Sequence, residues 1–274
     1  MKKSMSSIFS LLFFLGFQVL SFAQFKPEEI AEREKWEKFL KEAKIVEASQ
    51  PLSEREAVTE PWRLKLEKDG VVKYGWWKNV EGRVKGFLDS WKWEIAAYRL
   101  DKLLELNMVP PYEEIRFRGD RGVCSLEAEY WIKHREKQEQ NIPCPNRYVP
   151  SYNRANYLMK AWDNLIANED RNWGDILITE DWRLILIDHS RSFRTSKKFT
   201  KTLVHMAEGN KEPIKELPRA FVEKLKSLDF VMIRNAVGEY LTDKEIDAVI
   251  VRRDLILQDV DRLIKKFGED KFFY

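Results

Sequence analysis

The chain has 274 residues, is 44% hydrophobic and contains 10 tryptophans and 16 phenylalanines, a composition that can bury a large core and is not that of a disordered protein. Its 48 basic and 45 acidic residues give a net charge of +3, which does not indicate nucleic-acid binding. The length allows one large domain or two small ones.

The N-terminus has the three parts of a secretory signal peptide. Two lysines near the start precede an apolar stretch at 8–20, and Ser21 and Ala23 supply the small residues of a cleavage site. The stretch is short for a membrane anchor, which is the alternative. We therefore expect residues 1–23 to be removed and the protein to be secreted or periplasmic. Export would favour a disulfide between the two cysteines, Cys124 and Cys144, although the pattern is equally compatible with two free thiols.

The N-terminal half changes character once along its length. Residues 24–60 are predicted to be a helical extension, because apolar side chains recur at helical spacing among Glu and Lys. Residues 61–132 instead show short alternating stretches with turn signals. The predicted elements are strands at 62–66, 71–78, 113–117 and 123–130, a glycine-containing loop at 79–90 and a helix at 91–104. This half is therefore expected to be a small antiparallel sheet with one helix.

The C-terminal half is expected to be mainly helical. Residues 133–155 contain three prolines and no sustained period, so they are predicted to connect the two halves. Residues 156–274 then show helical spacing interrupted by one acidic segment. The predicted helices are 156–168, 218–228, 229–241 and a long final helix that begins with a capping box at Thr242 and Glu245. The expected fold class is α+β.

The acidic segment at 163–193 is the most informative part of the sequence. Two predicted strands, 176–178 and 183–187, form a hairpin that returns Asp188 beside Asp175. Burying a bare carboxylate costs on the order of several kcal/mol unless it is paired or bound to a metal. Two such residues that meet at strand ends, with Asp170 close by in sequence, therefore predict a divalent-cation and phosphate site.

Other interpretations of this segment remain open. The three carboxylates form a structural calcium site in one alternative. In another, they are neutralised by Arg171, Arg191 and Arg194. His189 is more consistent with a turn or core position than with a catalytic base.

A small sheet with one helix, followed by helices and an acidic hairpin, resembles the protein-kinase-like fold with its two lobes. Asp170 and Asp175 stand five apart, as do the catalytic Asp and metal-binding Asn of the H-R-D-x-x-x-x-N loop, and Asp188 corresponds to the metal-binding Asp of D-F-G. The residues at these positions are N-x-D-R at 168–171 and I-D-H-S at 187–190, and they are similar to the corresponding loops of atypical kinases. These include phosphoinositide kinases, HipA-type kinases and secretory-pathway kinases related to the Golgi casein kinase.

The resemblance assigns further roles and has three departures. It requires a strand lysine that holds nucleotide phosphates and a helix acid that orients this lysine, which Lys78 and Glu94 fill, with Lys73 as the competing lysine. The family Asn is Asp175, the His that usually follows D-R is Asn172, and no G-x-G-x-x-G loop exists. Two isolated glycines, Gly70 and Gly75, lie in the first hairpin, where the family has that loop.

The resemblance implies an exported phosphotransferase that uses ATP and Mg²⁺ or Mn²⁺. Asp170 is then the catalytic residue, Lys78 and Glu94 hold the nucleotide, and Asp175 and Asp188 bind the metal. The alternatives are a nucleotide-binding pseudokinase without transfer activity and an AMP transferase. The acceptor is unknown, and its surface is expected to involve residues 133–155 and 190–211.

Overall fold

A computed structural model describes residues 25–50, 60–205 and 214–274, and over these ranges the protein is an α+β structure. The predicted signal peptide at 1–23 lies outside the described residues. Among the described helices, none combines the length and the apolar character that a bilayer crossing requires. The strands are β1 Lys44–Ser49, β2 Trp62–Lys68, β3 Val71–Lys78, β4 Glu81–Val84, β5 Phe87–Ser90, β6 Tyr112–Phe117, β7 Asp120–Leu126, β8 Ile132–Lys133, β9 Ile176–Ile178 and β10 Leu184–Leu186.

The helices are concentrated in the second half of the chain. Helix α3 and the C-terminal helices share one large hydrophobic cluster, which also receives Tyr112 and Val123 from the sheet. The described helices are α1 Pro27–Ala31, α2 Arg33–Glu42, α3 Trp91–Leu104, α4 His134–Glu139, α5 Val149–Ile166, α6 Lys197–Lys201, α7 Arg219–Ser227, α8 Phe230–Val237, α9 Asp243–Phe267 and α10 Glu269–Phe272. The division into lobes at 61–132 and 156–274 stays a prediction.

The largest sheet is a five-stranded antiparallel sheet in the order β1-β2-β3-β7-β6. Successive side chains of a strand point to opposite faces, so each strand serves two environments. One face carries Trp77 and Cys124, which pack with Phe39 and Leu40 of α2 in a small cluster. The opposite face carries Val123, which belongs to the cluster of α3.

The predicted helical extension at 24–60 is wrong at 44–49, and its residues 51–59 lie outside the described residues. Helices α1 and α2 are present, but 44–49 is the strand β1, which pairs with β2. Ile45 and Ala48 pack against the α2 cluster from this strand. Ile45 continues the helical spacing of apolar residues, but pairing with the edge of β2 satisfies the backbone of a β-branched stretch better than a longer helix does.

The segments predicted to be a loop at 79–90 and a connection at 133–155 both contain regular structure. Strands β4 and β5 form a hairpin whose turn has Gly86 at φ 90°, a conformation that favours glycine. The second segment contains β8, α4 and the start of α5. Pro150, one of the three prolines of this segment, lies in the first turn of α5, where its missing N–H costs nothing.

Several predicted elements are confirmed and others are shifted or shortened, among them the strand predicted at 123–130, which is β7 at Asp120–Leu126. The hairpin β2–β3, the helix α3 at 91–104 and the capping box of Thr242 and Glu245 are confirmed. Helix α8 is shorter than its predicted range and is followed by a 3-10 turn, Gly238–Tyr240. Both cysteines are free thiols, so the disulfide alternative is wrong for this structure. Burial raises the pKa of the Cys124 thiol, which makes this residue a core side chain rather than a reactive one.

Candidate active site

The acidic hairpin is present and brings two of the three aspartates to one end. Strands β9 and β10 pair so that Leu186 lies opposite Ile176, and the Ile187 N–H donates to the Asp175 carbonyl at 3.1 Å. Asp175 ends a 3-10 turn before β9, and Asp188 follows β10. The two carboxylates therefore lie at the same open end of the hairpin.

Arg171 fixes that end of the hairpin to α5. Its guanidinium bonds both carboxylate oxygens of Asp163, at 3.0 to 3.3 Å, and donates to the Ile187 carbonyl at 2.6 Å. Both side chains are almost fully buried. Burial alone would lower the pKa of Arg171, but the carboxylates of Asp163, Asp175 and Asp188 together raise it above its usual value. The pair therefore holds Asp175 and Asp188 in position without occupying their carboxylates.

Lys78 and Glu94 meet in the structure, and Asp188 joins them. The Lys78 Nζ contacts the Glu94 Oε1 and lies 2.9 Å from the Asp188 Oδ1. Glu94 is 0% exposed and uses its other oxygen to accept the His189 N–H at 2.9 Å. A lysine from the sheet, an acid from α3 and the aspartate of the hairpin thus converge, although they are distant in sequence.

The alternation of strand side chains excludes Lys73 from this role. Lys78 follows Trp77, which faces α2, so Lys78 faces α3 and Glu94. Lys73 lies an even number of residues before Trp77 and therefore faces α2. Its Nζ is 5.2 Å from the ring centre of Trp36 and 3.4 Å from a Glu129 oxygen.

The charges of this cluster stabilise one another. Desolvation alone would lower the pKa of Lys78, but Asp188 and Glu94 raise it well above its usual range. Desolvation would raise the pKa of Glu94 and Asp188, yet Lys78 lowers the pKa of both carboxylates. Lys78 is therefore a fixed cation and Asp188 a fixed anion at neutral pH.

Asp175 differs because its strongest charged neighbour has the same sign. Desolvation and the Asp188 carboxylate raise the pKa of Asp175 to about 8, with Arg171 opposing the shift. Two adjacent carboxylates of this kind need either a shared proton or a cation. The described ranges contain no group of three or more His, Cys, Asp or Glu side chains placed for metal binding. Mg²⁺ needs only one or two carboxylates when phosphates and water supply its other ligands, so Asp175 and Asp188 fit such an ion.

The raised pKa of Asp175 predicts a pH-dependent stability. Between the ordinary carboxyl value of 3.8 and about 8, the folded protein holds a proton that the unfolded chain has released, so stability falls as pH rises. Asp188 has a lowered pKa and is ionised in both states over this interval, so its contribution is constant. Asp175→Asn is expected to remove this part of the slope, measured by urea unfolding of the metal-free proteins at pH 5 and pH 8. An equal stability difference between wild type and variant at both pH values would contradict the shift.

Asp170 is held by an arginine that also bonds a buried carboxylate. The Arg191 Nη1 donates to the Asp170 Oδ2 at 2.7 Å, while its Nε bonds the buried Asp89 at 3.1 and 3.2 Å. The Ser190 hydroxyl donates to Asp89 at 2.9 Å and also lies 3.1 Å from Asp188. Arg191 and Ser190 thus connect Asp170 to Asp188 through Asp89. The Asp170 side chain is 52% exposed, so an acceptor can reach it.

The arginine alternative is correct for one aspartate of the three. Arg191 neutralises Asp170, whereas Arg194 pairs with Glu169 and Arg171 with Asp163. The structural calcium site stays an alternative, since carbonyl groups and water can supply the oxygen ligands that two carboxylates do not. His189 is fully buried, and burial lowers the pKa of its ring, in agreement with a core role.

Sequence reasoning missed Asp89, Ser190 and Arg191 as a connected group, and it also missed Arg135. The Arg135 Nη2 donates to the Asn172 Oδ1 at 3.0 Å, and the same oxygen accepts the Gly174 N–H. The sequence signal for Asp89 is its position directly before Ser90, the N-cap residue of α3. The sequence contains no such signal for Arg135, because the segment that forms α4 shows no sustained helical spacing.

The two glycines of the first hairpin have structural explanations. Gly70 has a φ of 76° in the turn between β2 and β3. At Gly75, a Cβ would lie 2.6 Å from the Cys124 Sγ and 2.8 Å from the Ser125 carbonyl oxygen. Both positions therefore require glycine for the sheet itself.

No protein-family model and no curated protein matches the chain. A functional assignment therefore depends on the contacts of Lys78 with Glu94 and Asp188. These contacts bring charged residues of the sheet, α3 and the acidic hairpin into one cluster, and clusters of charged groups with strongly shifted pKa values are concentrated at functional sites.

Proposed function

We propose that the protein is an exported phosphotransferase of the atypical kinase type, with ATP as phosphate donor and Mg²⁺ or Mn²⁺ as cofactor. The contact that carries the proposal is the Lys78 ion pair with Glu94, which also reaches Asp188. In kinases a strand lysine, a helix glutamate and a metal-binding aspartate must be in place together for phosphoryl transfer. The proposal includes a two-lobed kinase-like arrangement, with the acidic hairpin between the lobes.

Each residue has a defined part in the proposed reaction. Lys78 binds phosphate oxygens of ATP, and Glu94 orients its ammonium group. Asp188 and Asp175 hold the divalent ion, which supplies positive charge to the phosphates when bound. Asp170 accepts the proton of the acceptor hydroxyl as that oxygen bonds to the γ-phosphorus and the bond to ADP breaks. Arg191 positions Asp170 and keeps it near the hairpin.

The ionisation states of Lys78 and Asp170 support their proposed roles in the reaction. Lys78 is charged at neutral pH because the two acids beside it raise its pKa. Desolvation raises the pKa of Asp170 above its ordinary value, and Arg191 opposes that shift. A carboxylate whose pKa has moved towards neutrality is a better proton acceptor than an ordinary one.

Asp188→Ala tests the proposal. The variant is expected to lose metal-dependent ATP binding by at least about 100-fold, or about 2.7 kcal/mol, because it removes a metal ligand and the anion beside Lys78. Isothermal titration calorimetry with ATP and Mn²⁺ measures the change. Asp181→Ala is the matched control, because Asp181 lies on the turn of the same hairpin and bonds Thr179 and Arg183. ATP affinity that is unchanged in Asp188→Ala contradicts the assignment.

A pseudokinase is the second candidate, and the bond between Arg191 and Asp170 favours it. The Arg191 guanidinium occupies the Asp170 Oδ2, so it competes with an acceptor hydroxyl for that oxygen. Labelled ATP separates the candidates: transfer of the γ-phosphate supports the kinase, transfer of the α-phosphate supports an AMP transferase, and binding without transfer supports the pseudokinase.

A further inference from the structure

The Ser190 hydroxyl lies between two carboxylates that have different surroundings. Its oxygen is 2.9 Å from the Asp89 Oδ1 and 3.1 Å from the Asp188 Oδ1. Asp89 and Ser190 are buried, whereas the Asp188 side chain is 40% exposed at the candidate metal site. A hydroxyl group has one hydrogen, so it donates to one of these carboxylates at a time and turns a lone pair towards the other.

The backbone holds Ser190 in this place. Asp188 has a φ of 55°, in the left-handed region, so the chain turns sharply just before Ser190. The Ser190 carbonyl accepts the N–H of Ser90 at 3.0 Å, and Ser90 directly follows Asp89 in the chain. Ser190 is therefore fixed beside Asp89 through its main chain as well as through its hydroxyl.

Asp89 can accept the Ser190 hydrogen whether or not a cation is bound at Asp188. Its two oxygens accept the Arg191 Nε at 3.1 and 3.2 Å, so an arginine compensates its buried charge. Asp188 differs in this respect, because a cation on its carboxylate repels the hydroxyl hydrogen. With a divalent ion at Asp188, the hydrogen of Ser190 points to Asp89 and its lone pairs point towards the ion.

The distance between the Ser190 and Asp188 oxygens suits two neighbouring ligands of one small ion. Mg²⁺ with octahedral oxygen ligands at about 2.1 Å has about 3.0 Å between adjacent ligand oxygens. The Ser190 Oγ and the Asp188 Oδ1 are 3.1 Å apart. A serine or threonine hydroxyl is also the Mg²⁺ ligand that the phosphate-binding loop of many nucleotide hydrolases supplies. Ser190 therefore has both the position and the chemistry of a ligand.

We infer that Ser190 binds the divalent ion together with Asp175 and Asp188, and that Asp89 is a positioning residue that holds the Ser190 hydrogen away from the ion. The inference rests on the metal-dependent function proposed above and adds a neutral ligand to its two carboxylates. Asp89 also holds Arg191, which bonds Asp170. The metal site and the candidate acceptor site thus share one buried carboxylate as their support.

Ser190→Cys tests direct ligation, because it replaces a hard oxygen with a soft sulfur. Relative to wild type, the variant is expected to bind Mn²⁺ at least about tenfold more weakly and Cd²⁺ at least about tenfold more tightly, since thiolates prefer soft ions. Calorimetry on the full chain without nucleotide measures both affinities. Ser192→Cys is the matched control, since Ser192 is a buried serine two residues further along the chain. Weaker Mn²⁺ binding without a gain in Cd²⁺ affinity, or an equal Cd²⁺ gain in the control, overturns the ligation.

Asp89→Asn tests the positioning role. The amide is a weaker acceptor than the carboxylate, so the Ser190 hydrogen turns to Asp188, and Mn²⁺ affinity is expected to fall at least about fivefold. In a Ser190→Ala background the same substitution is expected to cause no further loss, because the hydroxyl that it acts through is absent. An equal loss in both backgrounds shows that Asp89 affects the ion without Ser190 and overturns this role.

The Mn²⁺ and Cd²⁺ titrations contain no ATP, so they separate the ligation from the phosphotransferase proposal. Mn²⁺ binding that depends on Ser190, together with a failure of ATP to bind, supports the ligation and contradicts the kinase assignment. Mn²⁺-dependent ATP binding that is unchanged in Ser190→Cys contradicts the ligation alone. A wild-type protein that binds no Mn²⁺, with ATP or without it, also overturns the ligation.

Discussion

Replacing Lys78 with Met is expected to lower the free energy of unfolding by about 3–5 kcal/mol and to abolish ATP turnover. The stability loss follows because Glu94 is 0% exposed and would keep its buried charge without the cation that now pairs with it. Activity is lost because no other lysine faces α3 at this end of β3. Urea unfolding and release of labelled phosphate measure the two effects.

A double variant separates the two consequences. Lys78→Met with Glu94→Leu removes both charges and replaces them with apolar groups, so most of the lost stability is expected to return. ATP turnover should stay absent, because the phosphate-binding cation is still missing. Lys73→Met is the matched control on the same strand. Its ion pair with Glu129 is exposed, and its removal is expected to cost less than about 1 kcal/mol. Full turnover in the double variant would show that Lys78 has no part in the reaction.

The parts of this site that the sequence could predict are those with a local signal. The five-residue interval from Asp170 to Asp175 and the alternation around 176–187 define a hairpin within one short segment. Lys78 and Glu94 were found through the resemblance, since each residue alone suits a solvated strand end or a helix N-terminus. The sequence does not show which face of β3 packs on α3. The structure shows that Lys78 lies on that face, whereas Lys73 lies on the face that α2 covers.

The parts that could not be predicted depend on contacts between distant segments. Asp89 is buried because Arg191 and Ser190 reach it from about 100 residues further along the chain. Strand β1 exists because the edge of β2 is free to pair with it, which a helical pattern in 24–60 does not reveal. Helix α4 lies in a proline-containing segment that shows no sustained helical period, so the sequence pattern does not predict it.

The second large effect is expected at Arg171, which lies between the acidic hairpin and α5. Arg171→Met leaves the fully buried Asp163 without its bidentate partner and removes the donor to the Ile187 carbonyl. The expected loss is about 3–5 kcal/mol of unfolding free energy. The two hairpin ends are also expected to separate, since the guanidinium contacts the carbonyls of both Asp175 and Ile187. Hydrogen exchange at the Ile187 amide, which now donates to Asp175, should become faster than global unfolding explains.

This exchange measurement distinguishes two roles of Arg171: holding the Asp175 and Ile187 carbonyls together, and neutralising the buried Asp163. Arg171→Met with Asp163→Leu is expected to recover stability, because no unpaired charge remains. The Ile187 amide should still exchange quickly in that variant and ATP affinity should stay low, since neither substitution restores the bonds to the two carbonyls. Arg183→Met is the control at the other end of the hairpin, where the ion pairs are part-exposed and a loss within about 1 kcal/mol is expected. Slow exchange and normal ATP affinity in the double variant would mean that Arg171 acts only through Asp163, and that the backbone pairing of β9 with β10 positions Asp175 and Asp188 without it.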